Sequence, residues 1–471
     1  MVDVRQVSAL EVARLLGSWR DGEGSAAGLL ADAVERALHD GRLALGVRMP
    51  AERRLAEVLG LARGTVASAY RALRAAELIT TRTGSGSVTA LPPGLRGGLA
   101  PWPAGLSLTG GREAALDLTA AEPAAPFDAL HAAVLGAADG LPSALAPDGP
   151  AAHLRAAIAA AYTDQGLPTR EGHVLLTGGA DAALALLIAA FVRRGARVVT
   201  DSPTYPGALA LFRSAGARPV AQPLTGDGWD VAALGRTVAA AGPALTYLVP
   251  DFHNPTGLLM DDERRGALRR LLSAQDTLVV VDETLRDLDL RAAAPPPARI
   301  AAPGDRRTVT IGSLSKSLWP GLRVGWIRAH PAVIARSAAL PVAHSLAPSP
   351  LDQLVALRLL DVRAEILDER RRRLRTQRDH LAARLRDLPW CRFALPQGGL
   401  SLWLELLDTD ADRLTSRAAA LGLALTPGHR FSPEGAHHRH LRLPFTLPPD
   451  LLDAAVDKLT RAHDTPHPDP S

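Results

Sequence analysis

An α/β fold in two unequal parts is what this sequence predicts: a small helical head with a β-wing, then a large domain built on a mostly parallel sheet. Three observations carry the prediction. After residue 115, near-continuous apolar runs recur with helical segments between them, the pattern of strands buried on both faces. Near residue 60, two short amphipathic helices stand close together and lead into an alternating segment that turns on glycines. Between the two parts, residues 91–115 are dense in Pro and Gly and follow neither period, which predicts a partly stiff linker.

The head occupies 28–90, with 1–27 as an N-terminal extension. Leu30, Ala33, Val34, Ala37 and Leu38 keep helical spacing over 28–40, and Gly41 stops that helix. Helices follow at 51–59 and 63–76, separated by Gly60-Leu61-Ala62; Leu55, Ala56 and Leu59 line the first, and Val66, Ala69, Tyr70 and Leu73 the second. A hairpin over 78–89 turns at Gly84-Ser85-Gly86. The large domain spans 116–465, divided into a larger part (116–345) and a smaller α+β part (346–465). Its strands are read at 173–177, 196–200, 244–250, 277–283 and 308–312, with helices at 181–193 and, Arg-rich, at 361–386.

Composition narrows the function classes. With 471 residues, 47% hydrophobic and 22% charged, the chain has material for folded domains rather than disorder. One cysteine, Cys391, excludes a disulfide framework within the chain and makes it a core residue by default. No leader-like segment opens the sequence and no apolar run is long enough to span a bilayer, so a cytoplasmic protein with no membrane partner is expected. The net charge of +4 permits a polyanion partner without showing one. Of 53 basic residues, only Lys316 and Lys458 are lysine. Only a primary amine condenses with a carbonyl. Lys458 falls in an amphipathic C-terminal pattern and reads as a solvated face, whereas Lys316, between two serines, asks for a chemical reason.

Helix–turn–helix spacing at 51–76 is a DNA-binding geometry when the second helix enters the major groove. Arg63, Gly64 and Thr65 open that helix, Arg53 and Arg54 open the one before it, and Arg82 with Gly84 forms a wing able to reach along a duplex. The run L-x-x-G-x-R-M-P-A-E-R-R-L-A-x-x-L-G-L-A-R-G-T-V-x-x-A-Y-x-x-L resembles the winged helix-turn-helix of the GntR superfamily. Ala62 departs from it, standing where the family usually places a capping Ser; the missing cap costs about 0.5–2 kcal/mol.

Pyridoxal 5'-phosphate asks five things of a protein: an amine, a carboxylate for the pyridine nitrogen, a donor to the ring hydroxyl, an aromatic over the ring and an anion site. The chain offers a candidate for each. Lys316 is the amine at a strand end. Asp282 ends an apolar strand, where a carboxylate needs a partner. Asn254, in His253-Asn254-Pro255-Thr256-Gly257, is the ring-oxygen donor, and Tyr205 the stacking aromatic. Gly179 and Ala180 open a helix whose free N–H groups form an anion site, with Ser313, Ser315 and Arg323 around the same phosphate. In this order the residues resemble the fold-type I aminotransferases, and the union with a GntR-type head resembles the MocR subfamily of regulators.

The resemblance implies a regulator that binds a double-stranded DNA operator and carries pyridoxal phosphate on Lys316 as a Schiff base. Through that aldimine it would sense an amine, an amino acid or the B6 vitamer itself. Arg442 would clamp an effector carboxylate, and a homodimer is expected. A true aminotransferase with an accessory head is the alternative, and a constitutive DNA-binding protein with an empty cofactor fold is a third reading. Many relatives carry a Tyr two residues after the Asp; Thr284 stands there, which bears on whether the domain turns over. The run His437, His438, His440 reads as a solvated loop, and no metal site is expected.

Overall fold

A computed structural model of the chain describes residues 6–465 apart from 18, 21–23, 40–41, 44–46, 77, 83–85, 91–115, 144–145, 147–148, 274, 276 and 293. The linker and the wing-tip Gly84 lie outside the described residues. The chain divides into two compact units, Met1–Ala104 and Gly105–Ser471. Among the described residues no helix is long and apolar enough to cross a membrane.

The head holds α1 (Ala9–Leu16), α2 (Ala26–His39), α3 (Glu52–Leu59) and α4 (Arg63–Ala75), then an antiparallel hairpin of β1 (Ile79–Arg82) and β2 (Gly86–Thr89). Its core joins Leu30, Val34, Leu55, Val66 and Leu73. The segment read as an extension contributes to that core through Val7, Val12, Leu16 and Trp19. At eight residues, α1 is too short for its apolar spacing to register as a period. Tyr70 is buried on α4 and donates its phenol to the Pro50 carbonyl at 2.8 Å, tying α4 to the start of α3.

In the second unit the strands are β3 (Leu116–Asp117), β4 (Val174–Thr177), β5 (Arg197–Ser202), β6 (Arg218–Pro223), β7 (Leu245–Leu248), β8 (Leu278–Asp282), β9 (Thr308–Ser313) and β10 (Gly325–Arg328). The seven strands from β4 to β10 form one sheet in the order β4-β10-β9-β8-β7-β5-β6, parallel except for β10, which is antiparallel to both neighbours. The expected mostly parallel sheet is therefore present, with two strands the sequence did not announce. The half-buried edge strand β6 reads RPVAQP and β10 reads GWIR, and neither is a clean apolar run.

The smaller part contains β11 (Cys391–Arg392), β12 (Ser401–Leu406), β13 (Leu423–Ala424), β14 (Thr426–Pro427) and β15 (His440–Pro444). β11, β12, β15 and β14 make an antiparallel sheet, and β13 pairs in parallel with β3. The first residues of the large domain thus belong with the small sheet rather than with the segment up to 345: Leu118 is buried in the same core as Leu402, Leu443 and Leu459. Cys391 is buried there as expected. Lys458 is less solvated than its helical face suggested, since its Nζ donates to the Leu421 carbonyl.

Candidate functional site

In an open α/β sheet the carboxyl ends of the strands frame the ligand crevice, and the candidate cofactor residues gather there. β4 runs into Gly178-Gly179 and the helix Ala180–Phe191, whose start has no side-chain cap, so its first N–H groups are free for an anion. Gly179 has φ +110°, and a Cβ on Gly325 of β10 would lie 2.8 Å from the Gly179 Cα. Glycine at both positions lets β10 close against the turn. The Arg323 guanidinium stands beside Gly179, 3.8 Å from where its Cβ would be, on an exposed residue free to reach an oxyanion.

Ser313 and Ser315 do something more local than expected. Ser313 Oγ donates to the Val324 carbonyl at 3.2 Å, and Ser315 Oγ to that of Leu322, also at 3.2 Å. The two hydroxyls lie 3.0 Å apart. They brace the turn that presents Lys316 and Arg323.

Lys316 Nζ donates to the Ala121 carbonyl at 3.0 Å and lies 3.9 Å from Glu122. Burial pulls its pKa below the ordinary lysine value, with Arg442 acting in the same direction and Glu122 and Asp181 opposing. Asp282 is buried at the end of β8. Its Oδ2 accepts from the Tyr247 phenol at 2.6 Å and its Oδ1 from the Thr284 N–H at 2.9 Å. Burial raises its pKa against those two donors. Among the described residues no cation pairs with it, which leaves a place for a ring N–H⁺. Tyr205 stands just before the helix Pro206–Ser214 and donates to Asp181 Oδ2 at 3.3 Å. Its phenol also feels the fields of Asp282 and Arg442. Amine, both acids, phenol and guanidinium therefore share one basin, and Asn254 follows β7 on the loop beside it. This donor set fits pyridoxal phosphate: a desolvated amine, an unpaired buried acid and an uncapped helix start with an arginine.

Arg442 is buried on β15 and donates to the Thr119 carbonyl, while its guanidinium lies 5.1 Å from the Phe431 ring. Its Nε makes no hydrogen bond, and among the described residues no carboxylate pairs with it. Burial lowers its pKa to about 10.

Sequence reasoning missed three supports. Tyr247 could have been found as a phenol in an otherwise apolar buried strand, where it needs a partner. Asp181 stands in the first turn of the helix Ala180–Phe191. Arg370 donates to the carbonyls of Lys316 (3.1 Å), Leu318 (2.6 Å) and Ala124 (3.0 Å). Nothing in the Arg-rich run 369–373 singled it out.

On the head, Arg63 and Gly64 are exposed at the start of α4, and Thr65 is half-buried. The first turn holds no acid and Ala62 makes no cap, as expected. A Cβ on Gly64 would meet nothing within 4 Å, so a partner's backbone can come close. Arg53 and Arg54 both lean on Glu57, at 3.4 and 2.9 Å. Such exposed, water-screened pairs are weak and give way to a phosphate. β1 places Arg82 in the hairpin opposite Gly86. Arg63→Ala is expected to weaken DNA binding by about 1–3 kcal/mol without changing cofactor content. Salt titrations of a gel shift check it, and unaltered affinity at every salt concentration counts against this helix as the reader.

Residues 116–459 match the profile of aminotransferase class I and II, and residues 27–88 that of the bacterial regulatory proteins of the gntR family. The 2-aminoadipate transaminase of Thermus thermophilus is 32% identical over 315 residues, 64% of this chain and 78% of the relative. The HTH-type transcriptional regulator YdfD of Bacillus subtilis is 27% identical over 305 residues, and the match spans 63% of each chain. Among solved structures, the α-aminoadipate aminotransferase LysN of Thermus thermophilus, complexed with N-(5'-phosphopyridoxyl)-L-leucine, superposes with a TM-score of 0.67 at 30% identity. It covers 74% of this chain and 92% of its own.

Proposed function

The chain belongs to the aminotransferase class I and II family, with a gntR-family head in the MocR arrangement, and on that premise we propose that it is a pyridoxal-phosphate-dependent transcription regulator that answers to a small amine or amino acid. One observation carries the sensing step. Lys316 and Arg442 both donate to main-chain carbonyls of one short segment, Ala121 and Thr119, and Arg370 holds the next part of it at Ala124. A ligand carboxylate at Arg442 competes with the Thr119 carbonyl for the same guanidinium, and it wins because an ionised acceptor forms the stronger bond. β3 stands in the chain between the linker and that segment, so a change in the segment reaches the linker through β3.

Bound pyridoxal phosphate supplies an electrophilic carbon and an electron-withdrawing ring. The residues of the chain hold and tune it. Lys316 offers an amine whose pKa burial draws down, Asp282 a carboxylate for the ring nitrogen, and Asn254 a donor for the ring oxygen. Tyr205 offers an aromatic face, and Gly179, Ala180 and Arg323 a cradle for the phosphate. Arg63, Gly64 and Thr65, with Arg53, Arg82 and Gly84, meet the operator, and a homodimer sets the spacing of two heads.

Gel shifts on the protein's own upstream DNA, with and without pyridoxal phosphate and a panel of amines and amino acids, test the reading. Affinity that moves with both supports it. Steady keto-acid production over many turnovers, with no effect on DNA binding, assigns the chain to catalysis instead. Arg442→Ala is expected to weaken the response to carboxylate-bearing effectors about 10- to 100-fold, the scale of hydrogen bonds to a charged group, and to spare amines without a carboxylate. An equal response to both classes places effector recognition elsewhere.

A further inference from the structure

We propose that Asp412, His429 and His438 bind one divalent transition-metal ion, Zn²⁺ being the ion their chemistry fits. His429 lies in the turn Gly428–Phe431 and is only 2% exposed. Asp412 Oδ1 stands 3.1 Å from its Nδ1 but out of line for a hydrogen bond, and neither ring nitrogen has one. A buried polar group without a partner costs about 1–3 kcal/mol, and a metal bond removes that cost. His438 approaches from the loop before β15, and Asp412 from the first turn of the helix Ala411–Ala420. One ligand atom from each lies within 4.8 Å of the other two. Tetrahedral Zn²⁺ holds its ligands about 3.4 Å apart, so side-chain shifts of about an ångström close the site.

The backbone already holds the three together. Ala411 N donates to the His438 carbonyl at 2.8 Å. A Cβ on Gly428 would lie 2.4 Å from the His437 carbonyl and 2.6 Å from that of His440, so only glycine lets the turn and loop close. Two imidazoles and one carboxylate suit Zn²⁺ rather than Ca²⁺ or Mg²⁺, which favour all-oxygen shells. The Asp412 side chain is 32% exposed, which leaves water access for a fourth ligand. His437, His438 and His440 are half-buried rather than solvated. Its sequence hid the site because His429 and Asp412 lie well upstream. The ion would fix the turn whose Phe431 ring faces Arg442, so it would stiffen one wall of the effector pocket.

Untagged full-length protein, stripped with a chelator, is titrated with Co²⁺ alone and then with Zn²⁺. The expected result is a ligand-field absorption band that saturates at one ion per chain and disappears as Zn²⁺ displaces Co²⁺. His429→Ala and His438→Ala are each expected to weaken Co²⁺ binding by more than about 100-fold, beyond the usual effect of losing a supporting contact. The cofactor spectrum stays unchanged. Because His438 is half-exposed, its variant keeps the test decisive should His429→Ala not fold. His463→Ala removes a histidine paired with Asp408 and Asp464 and is expected to leave binding intact. Absence of the band, equal affinity in His438→Ala, or a loss that follows His463→Ala overturns the proposal.

Discussion

Lys316→Ala is expected to abolish retention of pyridoxal phosphate while leaving the fold in place. The side chain makes one hydrogen bond, to the Ala121 carbonyl, so its loss costs about 0.5–1.5 kcal/mol of stability. The chemical loss is total, because Lys458, the other lysine in the sequence, is held at the Leu421 carbonyl in the C-terminal helix. Borohydride reduction followed by peptide mass mapping checks the assignment: wild type carries the cofactor mass on the peptide containing Lys316, and the variant carries none. A mass increment that persists in the variant removes Lys316 from the site. The pH dependence of cofactor capture gives a second check. A lysine pKa drawn down by burial means that the free amine appears at lower pH than for a solvated lysine. Capture should therefore rise with pH through a midpoint below the ordinary lysine value. A midpoint at that ordinary value means the amine is fully hydrated when it reacts.

The same variant separates the rival readings. If DNA affinity in Lys316→Ala no longer responds to pyridoxal phosphate or amines, sensing passes through this amine. If the response survives, the head is governed from elsewhere and the domain's chemistry is unconnected to DNA.

The candidate ligand residues were the most legible in the sequence, and those that hold them the least. Lys316 stood out because the composition is otherwise nearly free of lysine, and Asp282 because a carboxylate ends an apolar strand. Both signals are local. Tyr247 reaches Asp282 from the neighbouring strand β7, and a contact across a sheet leaves no spacing in the chain. Arg370 grips the Lys316 turn from a helix dozens of residues away, as the first of four consecutive arginines. The strands of the buried sheet were readable because their faces are both apolar. β10 was not, because Gly325 and Arg328 bound it and its role is to close against another glycine. The histidine run was legible as a cluster, yet the residues that turn it into a binding site come from two other elements.

Arg265→Ala is expected to destabilise the second unit by about 3–5 kcal/mol, the cost of stripping one partner from a buried ionic network. Arg265 is fully buried. Its Nε donates to the Met260 carbonyl at 2.7 Å, Nη1 to Ala298 at 3.0 Å, and Nη2 to Pro250 at 3.0 Å and to Asp251 Oδ1 at 2.6 Å. Pro250 and Met260 are the two ends of the loop that carries Asn254, and Met260 N closes that loop on the Pro250 carbonyl at 2.9 Å. One guanidinium thus sets the base on which the candidate ring-oxygen donor stands. Arg286, 3.2 Å from Asp251, still neutralises the acid in the variant, which places the loss toward the lower end of the range. Arg265→Lys should recover only part of it, because a single ammonium cannot span four acceptors held by a planar fork. Denaturant unfolding measures the stability, and cofactor titration measures the consequence at the site. The expected result is that Arg265 supports the site by way of Asn254, so that Asn254→Ala costs little further cofactor affinity once Arg265 is gone, a non-additivity that a double-mutant cycle reads directly. Additive losses would show that Arg265 holds the fold alone, and a stability change under about 1 kcal/mol would show that water replaces it at no great cost.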